Sequence, residues 1–244
     1  ISYYKIHICI EAKIYLFLNF IMMKKDSELQ TDVQNAIQWE PLLNDAEIGV
    51  IAKDGIVSLN GQVDSYAKKI IAENAAKKVL GVKALVENIE VNLPSKWVLT
   101  DSEIASSALA ALKTSWSIPK DRITVKVENG WITLEGYLPW HYQREIAKSA
   151  INYLSGAKGV INHIKIRSES SDKIREVEVE NALRRSAIDD SNIEVSVKDT
   201  TVTLSGTSNS WYEKDEAERI AWNTPGVWHM KNDLEVDYKL SLQH

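Results

Sequence analysis

The sequence predicts an α+β protein of three tandem α-β-β-α-β units, each a small three-stranded mixed sheet with two helices on one face. Three observations support this fold class. One strand pattern bounded by glycines occurs three times, at residues 55–61, 130–136 and, with its first glycine replaced, 200–206. A helical apolar pattern precedes each copy and another follows it. The first two copies align at a constant offset of 75 residues, and the second and third at 70 over most of their length.

The first element of each unit is a helix. Apolar residues recur at helical spacing as Leu29, Val33, Ala36 and Ile37, as Ile104, Ala108, Ala111 and Leu112, and as Val179, Ala182 and Leu183. Thr100 and Glu103 have the spacing of a capping box, which indicates a helix start in the second unit. We expect the three helices to end near Pro41, Trp116 and Ala187.

Two strands joined by a tight turn follow. The first strand covers residues 48–50, 123–127 and 193–197, and the second places Val57 and Leu59, Ile132 and Leu134, or Val202 and Leu204 on one side. The turns are Asp54-Gly55, Asn129-Gly130 and Asp199-Thr200. The first two pairs suit a two-residue hairpin turn, because its central positions need φ > 0. The opposite side is polar, so the sheet is expected to be covered on one side only.

A second helix and a last strand complete each unit. The helices are expected over about 66–80, 142–155 and 211–223, and each precedes a glycine suited to a left-handed helix end. In the last strand Ile89 and Val91, Ile164 and Ile166, and Leu234 and Val236 are expected to point inward. The glycines expected to be structural are Gly55, Gly61, Gly81, Gly130, Gly136, Gly156, Gly206 and Gly226.

The domain boundaries are therefore 26–93, 100–168 and 172–238, and the short linkers restrict how neighbouring units are oriented. Residues 1–22 do not resemble the repeats. Their apolar run is too short to span a bilayer, and no small-residue cleavage pattern follows it. We expect Met23 (or Met22) to be the native start, with residues 1–22 a non-native leader or upstream segment; an uncleaved or poorly cleaved export signal is the alternative. This start predicts a cytoplasmic protein, and the alternative a periplasmic one.

The composition excludes several kinds of site. Cys9 is the only cysteine, so the chain has no internal disulfide and no multi-cysteine metal site. The five histidines have no ligand spacing, and no phosphate-binding glycine loop or nucleophile elbow is present. We therefore expect no metal, no cofactor and no enzymatic activity.

These residues resemble the BON (bacterial OsmY and nodulation) domain family. The resemblance rests on the Gly-x-Val-x-Leu-x-Gly hairpin, the alanine-rich second helix, the glycine that ends it, and the last strand at 86–91, 161–166 and 231–236. It covers residues 26 to about 238. The third copy departs from the pattern at Thr200 and Lys231, which affects its surface more than its fold.

The chain looks like the triple-BON, OsmY-like proteins known as transport-associated or osmotically inducible. The resemblance implies a non-catalytic bacterial module of stress or the envelope, proposed to bind phospholipid membranes, with some members periplasmic. The family has no catalytic motif to transfer.

Charge differs between the units. Residues 26–95 carry a net charge of −5, residues 101–170 a net charge of +2, and residues 172–240 a net charge of −6. Only the middle unit can attract an anionic surface, and only weakly. A nucleic-acid partner is not expected, since it normally requires a basic face.

Aromatic residues give a second indication. Tryptophan suits a boundary that is apolar on one side and wet on the other, so both contact between repeats and contact with a membrane or partner remain open. Arg144 and Lys148 lie one helical turn apart after Trp140 and form the best basic-aromatic pairing. Trp97 lies in a linker. The candidate lipid- or partner-binding residues are Trp140, His141, Arg144, Lys148 and Trp211.

The sequence thus predicts a soluble, non-enzymatic binding protein of osmotic or envelope stress, which associates with a phospholipid surface or a protein assembly. One alternative is a protein scaffold or oligomerisation module that does not bind lipid. The other is a small-ligand or ion sensor with its ligand between repeats.

Overall fold

In the computed structural model, which describes residues 25–95, 98–167, 174 and 176–237, each repeat has the predicted element order. Repeat 1 contains α1 (Asp26–Gln38), β1 (Glu47–Lys53), β2 (Ile56–Val63), α2 (Tyr66–Lys77) and β3 (Ala84–Val91), with a short 3-10 turn at Pro41–Leu43. Repeat 2 contains α3 (Asp101–Thr114), β4 (Ile123–Glu128), β5 (Trp131–Leu138), α4 (His141–Asn152) and β6 (Gly159–Ile166). Repeat 3 contains α5 (Glu176–Arg184), β7 (Ile193–Lys198), β8 (Thr201–Ser208), α6 (Trp211–Trp222), β9 (His229–Asn232) and β10 (Glu235–Val236).

The sheets are mixed and small, as predicted. In repeats 1 and 2 the middle strand pairs antiparallel with the strand before it and parallel with the last strand. In repeat 3 the last strand is divided, and β9 and β10 both pair parallel with β8. The parallel pairing requires a crossover, and the second helix of each repeat provides it.

Both helices of a repeat cover the same face of its sheet. Val57 and Leu59 of β2 are fully buried and share a core with Leu29 and Val33 of α1 and Ala72 of α2. Repeats 2 and 3 bury their corresponding residues in a second core, which continues from one repeat into the other. The predicted α+β fold class, with three tandem α-β-β-α-β units, is confirmed.

The hairpins confirm the turn prediction for repeats 1 and 2. Asp54 and Gly55 have φ values of 53° and 82°, and Asn129 and Gly130 have φ values of 52° and 83°. In repeat 3 only Asp199 of the turn pair is left-handed, with φ 55°. Thr200 carries a side chain that disfavours this region, so the turn keeps its length with a different conformation.

All eight glycines predicted to be structural have positive φ. The most constrained is the last glycine of the repeated strand. A Cβ atom on Gly136 would lie 2.0 Å from the carbonyl oxygen of Arg122, because Gly136 pairs with the first residue of β4. The repeated strand therefore ends in glycine for a steric reason as well as a conformational one.

The first helix is tied to the hairpin turn. Asp101, the first residue of α3, accepts hydrogen bonds from the backbone amides of Asn129 (2.8 Å) and Gly130 (2.9 Å). Asp26 accepts one from Asp54 in repeat 1. The predicted capping box between Thr100 and Glu103 is present.

Helix ends differ slightly from the prediction. The first helices stop at Gln38, Thr114 and Arg184, two or three residues earlier than expected, because the following residues form turns. The second helix of repeat 2 begins at His141. No helix among the described residues is long and apolar enough to cross a membrane. Residues 1–22 and Trp97 lie outside the described residues.

Candidate functional site

The second helix of each repeat begins with an aromatic side chain. Tyr66, His141 and Trp211 occupy this position, since they are related by the repeat offsets of 75 and 70. Each of the three side chains packs against a different repeat.

Tyr66 of repeat 1 packs against repeat 2. Its side chain is buried in the core that contains Ile132 and Leu134, and α2 contacts α4. Burial raises the pKa of the Tyr66 hydroxyl, and the backbone of Val160 in β6 offers it a hydrogen bond. This contact joins repeats 1 and 2.

His141 of repeat 2 packs against repeat 3. It is 7% exposed, and its ring stacks on the ring of Trp222 with centroids 4.9 Å apart and planes inclined by 10°. Burial lowers the pKa of His141 to about 4, and the positive charges of Arg144 and Arg219 act in the same direction. At neutral pH the stacked ring is therefore uncharged.

Trp222 collects further contacts at the end of α6. The guanidinium of Arg144 lies 5.1 Å from the centroid of its ring, a distance typical of a cation–π contact. Its indole Nε1 donates to Glu218 of its own helix at 3.3 Å. Two residues of α4 therefore meet one tryptophan of α6.

Trp211 of repeat 3 packs against repeat 1. The ammonium of Lys77 lies 5.6 Å from the centroid of its ring, and the indole also contacts the core of repeat 1. Lys77 and Trp222 occupy equivalent positions at the ends of α2 and α6. The start of one second helix thus lies at the end of another.

These contacts close a ring. Repeat 1 contacts repeat 2 through Tyr66, repeat 2 contacts repeat 3 through His141, and repeat 3 contacts repeat 1 through Trp211. A head-to-tail contact whose rotation closes after three copies gives an approximately threefold arrangement. Here it is formed within one chain.

The structure accounts differently for the five candidate binding residues. His141, Arg144 and Trp211 lie at contacts between repeats, which was one of the two explanations that the sequence left open. Trp140 and Lys148 are half-buried on α4 and its first turn. A lipid- or partner-binding role for these residues remains a prediction.

Sequence reasoning missed the other members of the junctions, namely Tyr66, Lys77 and Trp222. The alignment of the repeats was the signal that could have found Tyr66, since it places this residue level with His141 and Trp211. Nothing in the helical pattern marks Lys77, because a lysine near a helix end is ordinary.

Two tryptophans are almost fully exposed. Trp39 and Trp116 follow the first helices of repeats 1 and 2 and are 85% and 95% exposed. The uncovered sheet face is partly apolar in repeat 1, where Ile51, Ile56 and Val86 are exposed.

Among the described residues there is no group of His, Cys, Asp and Glu that could hold a metal ion. A cleft of about 260 Å³ is lined by Asp45, Asp64 and Lys68, whose charges are joined at 2.8 and 3.0 Å. Its volume lies below the range of about 300–1,000 Å³ that is usual for ligand pockets.

The comparisons with known proteins agree with the repeat architecture. The model of the BON domain matches residues 25–92, 100–168 and 171–238. The chain belongs to the BON domain family. It is 27% identical over 147 residues to the osmotically-inducible protein Y of Escherichia coli (strain K12), an alignment that covers 57% of this chain and 73% of that protein.

Two solved structures match the chain at low identity. The C-terminal domain of CdsD, a structural protein of the type III secretion system of Chlamydia trachomatis, is 18% identical, with 88% of this chain and all of that domain covered. The TM-score is 0.24, and a second CdsD structure gives 0.22. The BON family is not known as enzymatic.

Proposed function

We propose that this BON protein is a non-catalytic binding protein of osmotic or envelope stress that associates with anionic phospholipid surfaces through its middle repeat. The name of its osmotically inducible relative supports the stress context. The observation that carries the lipid proposal is the charge distribution. Repeat 2 is net positive, whereas its neighbours are strongly negative.

The ring arrangement strengthens this proposal. A closed ring of three repeats keeps the positive repeat on one side of the molecule and the negative repeats on the others. A bilayer that contains anionic lipid attracts each nearby Lys or Arg by about 1 kcal/mol and repels carboxylates. The molecule would therefore approach such a surface with repeat 2 foremost.

The test is co-sedimentation of residues 23–244 with neutral and with anionic vesicles at about 50 mM and about 150 mM salt. We expect binding to anionic vesicles only, and weaker binding at the higher salt because exposed charges are screened. Absence of binding to anionic vesicles at low salt would exclude the proposal. Equal binding to neutral vesicles would exclude its electrostatic basis.

A second candidate function is a protein scaffold that does not touch lipid. The exposed apolar residues Ile51, Ile56 and Val86 on the uncovered sheet of repeat 1 favour it, since Ile51 and Val86 flank Ser58 in the same row of the sheet. Light scattering without lipid tests it. A stable oligomer that Ile51→Lys dissociates would support the scaffold, and a monomer at all concentrations would exclude self-assembly.

A further inference from the structure

Trp116 is held in solvent by a well-anchored turn. Its side chain is 95% exposed, although tryptophan is on average highly buried in folded proteins. The residues on either side of the turn, Leu112 and Ile118, are buried in the core of repeat 2. The exposure of Trp116 is therefore imposed by the fold around it.

Hydrogen bonds fix the same turn. The amide of Ser115 donates to the carbonyl of Leu112 at 3.3 Å, and the amide of Ile118 donates to the carbonyl of Ser115 at 3.2 Å. The side chain of Gln143 in α4 donates to the carbonyl of Ser117 at 2.7 Å. Because the backbone of this turn is already fixed, it loses little conformational entropy when the Trp116 side chain enters a lipid headgroup region.

Basic residues lie close to this tryptophan in the sequence. Lys113, Lys120 and Arg122 are exposed within six residues of it, and Asp121 is the acidic residue between them. Tryptophan prefers the headgroup level of a bilayer, and lysine extends its charge toward the phosphates. This combination fits an anionic lipid surface better than an acidic protein surface, because a bilayer also provides an apolar region for the indole ring.

The equivalent segments of the other repeats lack this combination. Residues 113–122 have a net charge of +2, while residues 38–47, which contain the 85% exposed Trp39, have a net charge of −3. In repeat 3 Ser186 stands at the position of Trp116, and residues 183–192 are neutral overall. Trp39 stands two residues before Pro41, which occupies the position of Trp116, and it is also highly exposed but lies in an acidic rather than a basic segment.

We infer that the turn between α3 and β4, with Trp116, Lys113 and Lys120, is the element that contacts the anionic lipid surface. Trp116 enters the headgroup region, and the two lysines lie against the phosphates. This inference rests on the proposed lipid association and assigns it to residues outside the helix that the sequence favoured.

The experiment compares Trp116→Ala with the matched control Trp39→Ala on vesicles of phosphatidylcholine with and without phosphatidylglycerol. We expect Trp116→Ala to lower the partition constant on anionic vesicles about fivefold or more, and Trp39→Ala to change it less than about twofold. Lys113→Gln with Lys120→Gln should lower it similarly and flatten its dependence on salt. The thermal midpoint of Trp116→Ala should equal that of the wild type, because the side chain packs against almost nothing.

Insertion is read separately by quenching with brominated lipid. We expect the wild type to lose more tryptophan fluorescence on brominated anionic vesicles than Trp116→Phe does. If the wild type binds anionic vesicles and Trp116→Ala binds them equally well, the assignment to this turn is overturned and the proposed function stands. Equal losses in Trp116→Ala and Trp39→Ala would overturn the role of the lysines. A wild type that binds no vesicles would overturn both the proposed function and this inference.

Discussion

At the scale of single residues, the first position of the second helix carries a different aromatic side chain in each repeat. Tyr66, His141 and Trp211 begin equivalent helices, and each fills a junction with a different partner. The Tyr66 hydroxyl lies at the edge strand β6, the His141 ring stacks on Trp222, and the Trp211 ring lies under the ammonium of Lys77. Different side chains at one position therefore give each junction its own set of contacts.

Gly136 provides a test of the repeated strand. Gly136→Ala should destabilise the protein by about 3 kcal/mol, because φ is 144° there and the new Cβ would lie 2.0 Å from a carbonyl oxygen. Gly49→Ala is the control, since its Cβ would meet its nearest atom at an ordinary 3.6 Å. Urea unfolding measures both variants. Similar midpoints for the two would contradict the steric explanation.

His141 should make stability depend on pH. Its pKa is about 4 in the folded protein and about 6.5 when unfolded, so the unfolded chain binds more protons between these values. The free energy of unfolding should therefore fall as the pH decreases through this window, by about 2 kcal/mol between about pH 7 and about pH 4.5.

The matched variant for this prediction is His141→Phe, which keeps a ring for Trp222 and removes the titrating group. Urea unfolding of both proteins at the two pH values separates His141 from the carboxylates. The wild type should lose more stability than His141→Phe on acidification. Equal losses would show that the stacked histidine does not titrate as its burial implies.

At the scale of elements, the first helix and the hairpin turn of repeats 1 and 2 are joined by hydrogen bonds. The carboxylate of Asp101, at the start of α3, accepts hydrogen bonds from the two amides of the turn. Its negative charge also interacts favourably with the helix dipole. The same contact occurs in repeats 1 and 2. Sequence reasoning identified the turn and the helix start separately, because hydrogen bonds between residues 28 positions apart are not visible in local patterns.

Asp101→Ala tests this link. Two backbone amides would lose their acceptor, and the loss should cost about 1–3 kcal/mol of unfolding free energy. Ser102→Ala, at the next and exposed position, should change stability by less than about 0.5 kcal/mol. Hydrogen exchange of the Asn129 and Gly130 amides should accelerate in the first variant and not in the second. Unchanged exchange in Asp101→Ala would refute the link.

At the scale of the whole molecule, closure of the ring decides which surfaces remain available. A linear array of three repeats would leave one junction surface open at each end, whereas the contact of Trp211 with repeat 1 covers both. What remains outside is the uncovered sheet faces and the turns after the first helices. The basic turn of repeat 2 is one of these.

Trp211→Glu should open the ring. A carboxylate placed against the core of repeat 1 would cost more than the contact contributes, since burying a charge there is unfavourable. Hydrogen exchange at the end of α2 near Lys77 should increase, and X-ray scattering should show a larger radius of gyration. The control is Tyr212→Glu, because this neighbouring side chain is exposed. Unchanged exchange near Lys77 in Trp211→Glu would contradict the closed ring.

From the sequence alone we could predict the three units, their element order, the hairpin turns of repeats 1 and 2, the left-handed glycines of those turns and of the helix ends, and the capping box. These features arise from hydrogen bonds and apolar periodicity within about 70 residues, and three copies made each weak pattern specific. The arrangement of the units depends on contacts between distant residues, which place His141, Arg144 and Trp211 against other repeats and leave Trp39 and Trp116 in solvent. The physical reason is that an amphipathic pattern shows which face of a helix covers its own sheet. It does not show which polar or aromatic residue on the remaining face meets a neighbouring repeat.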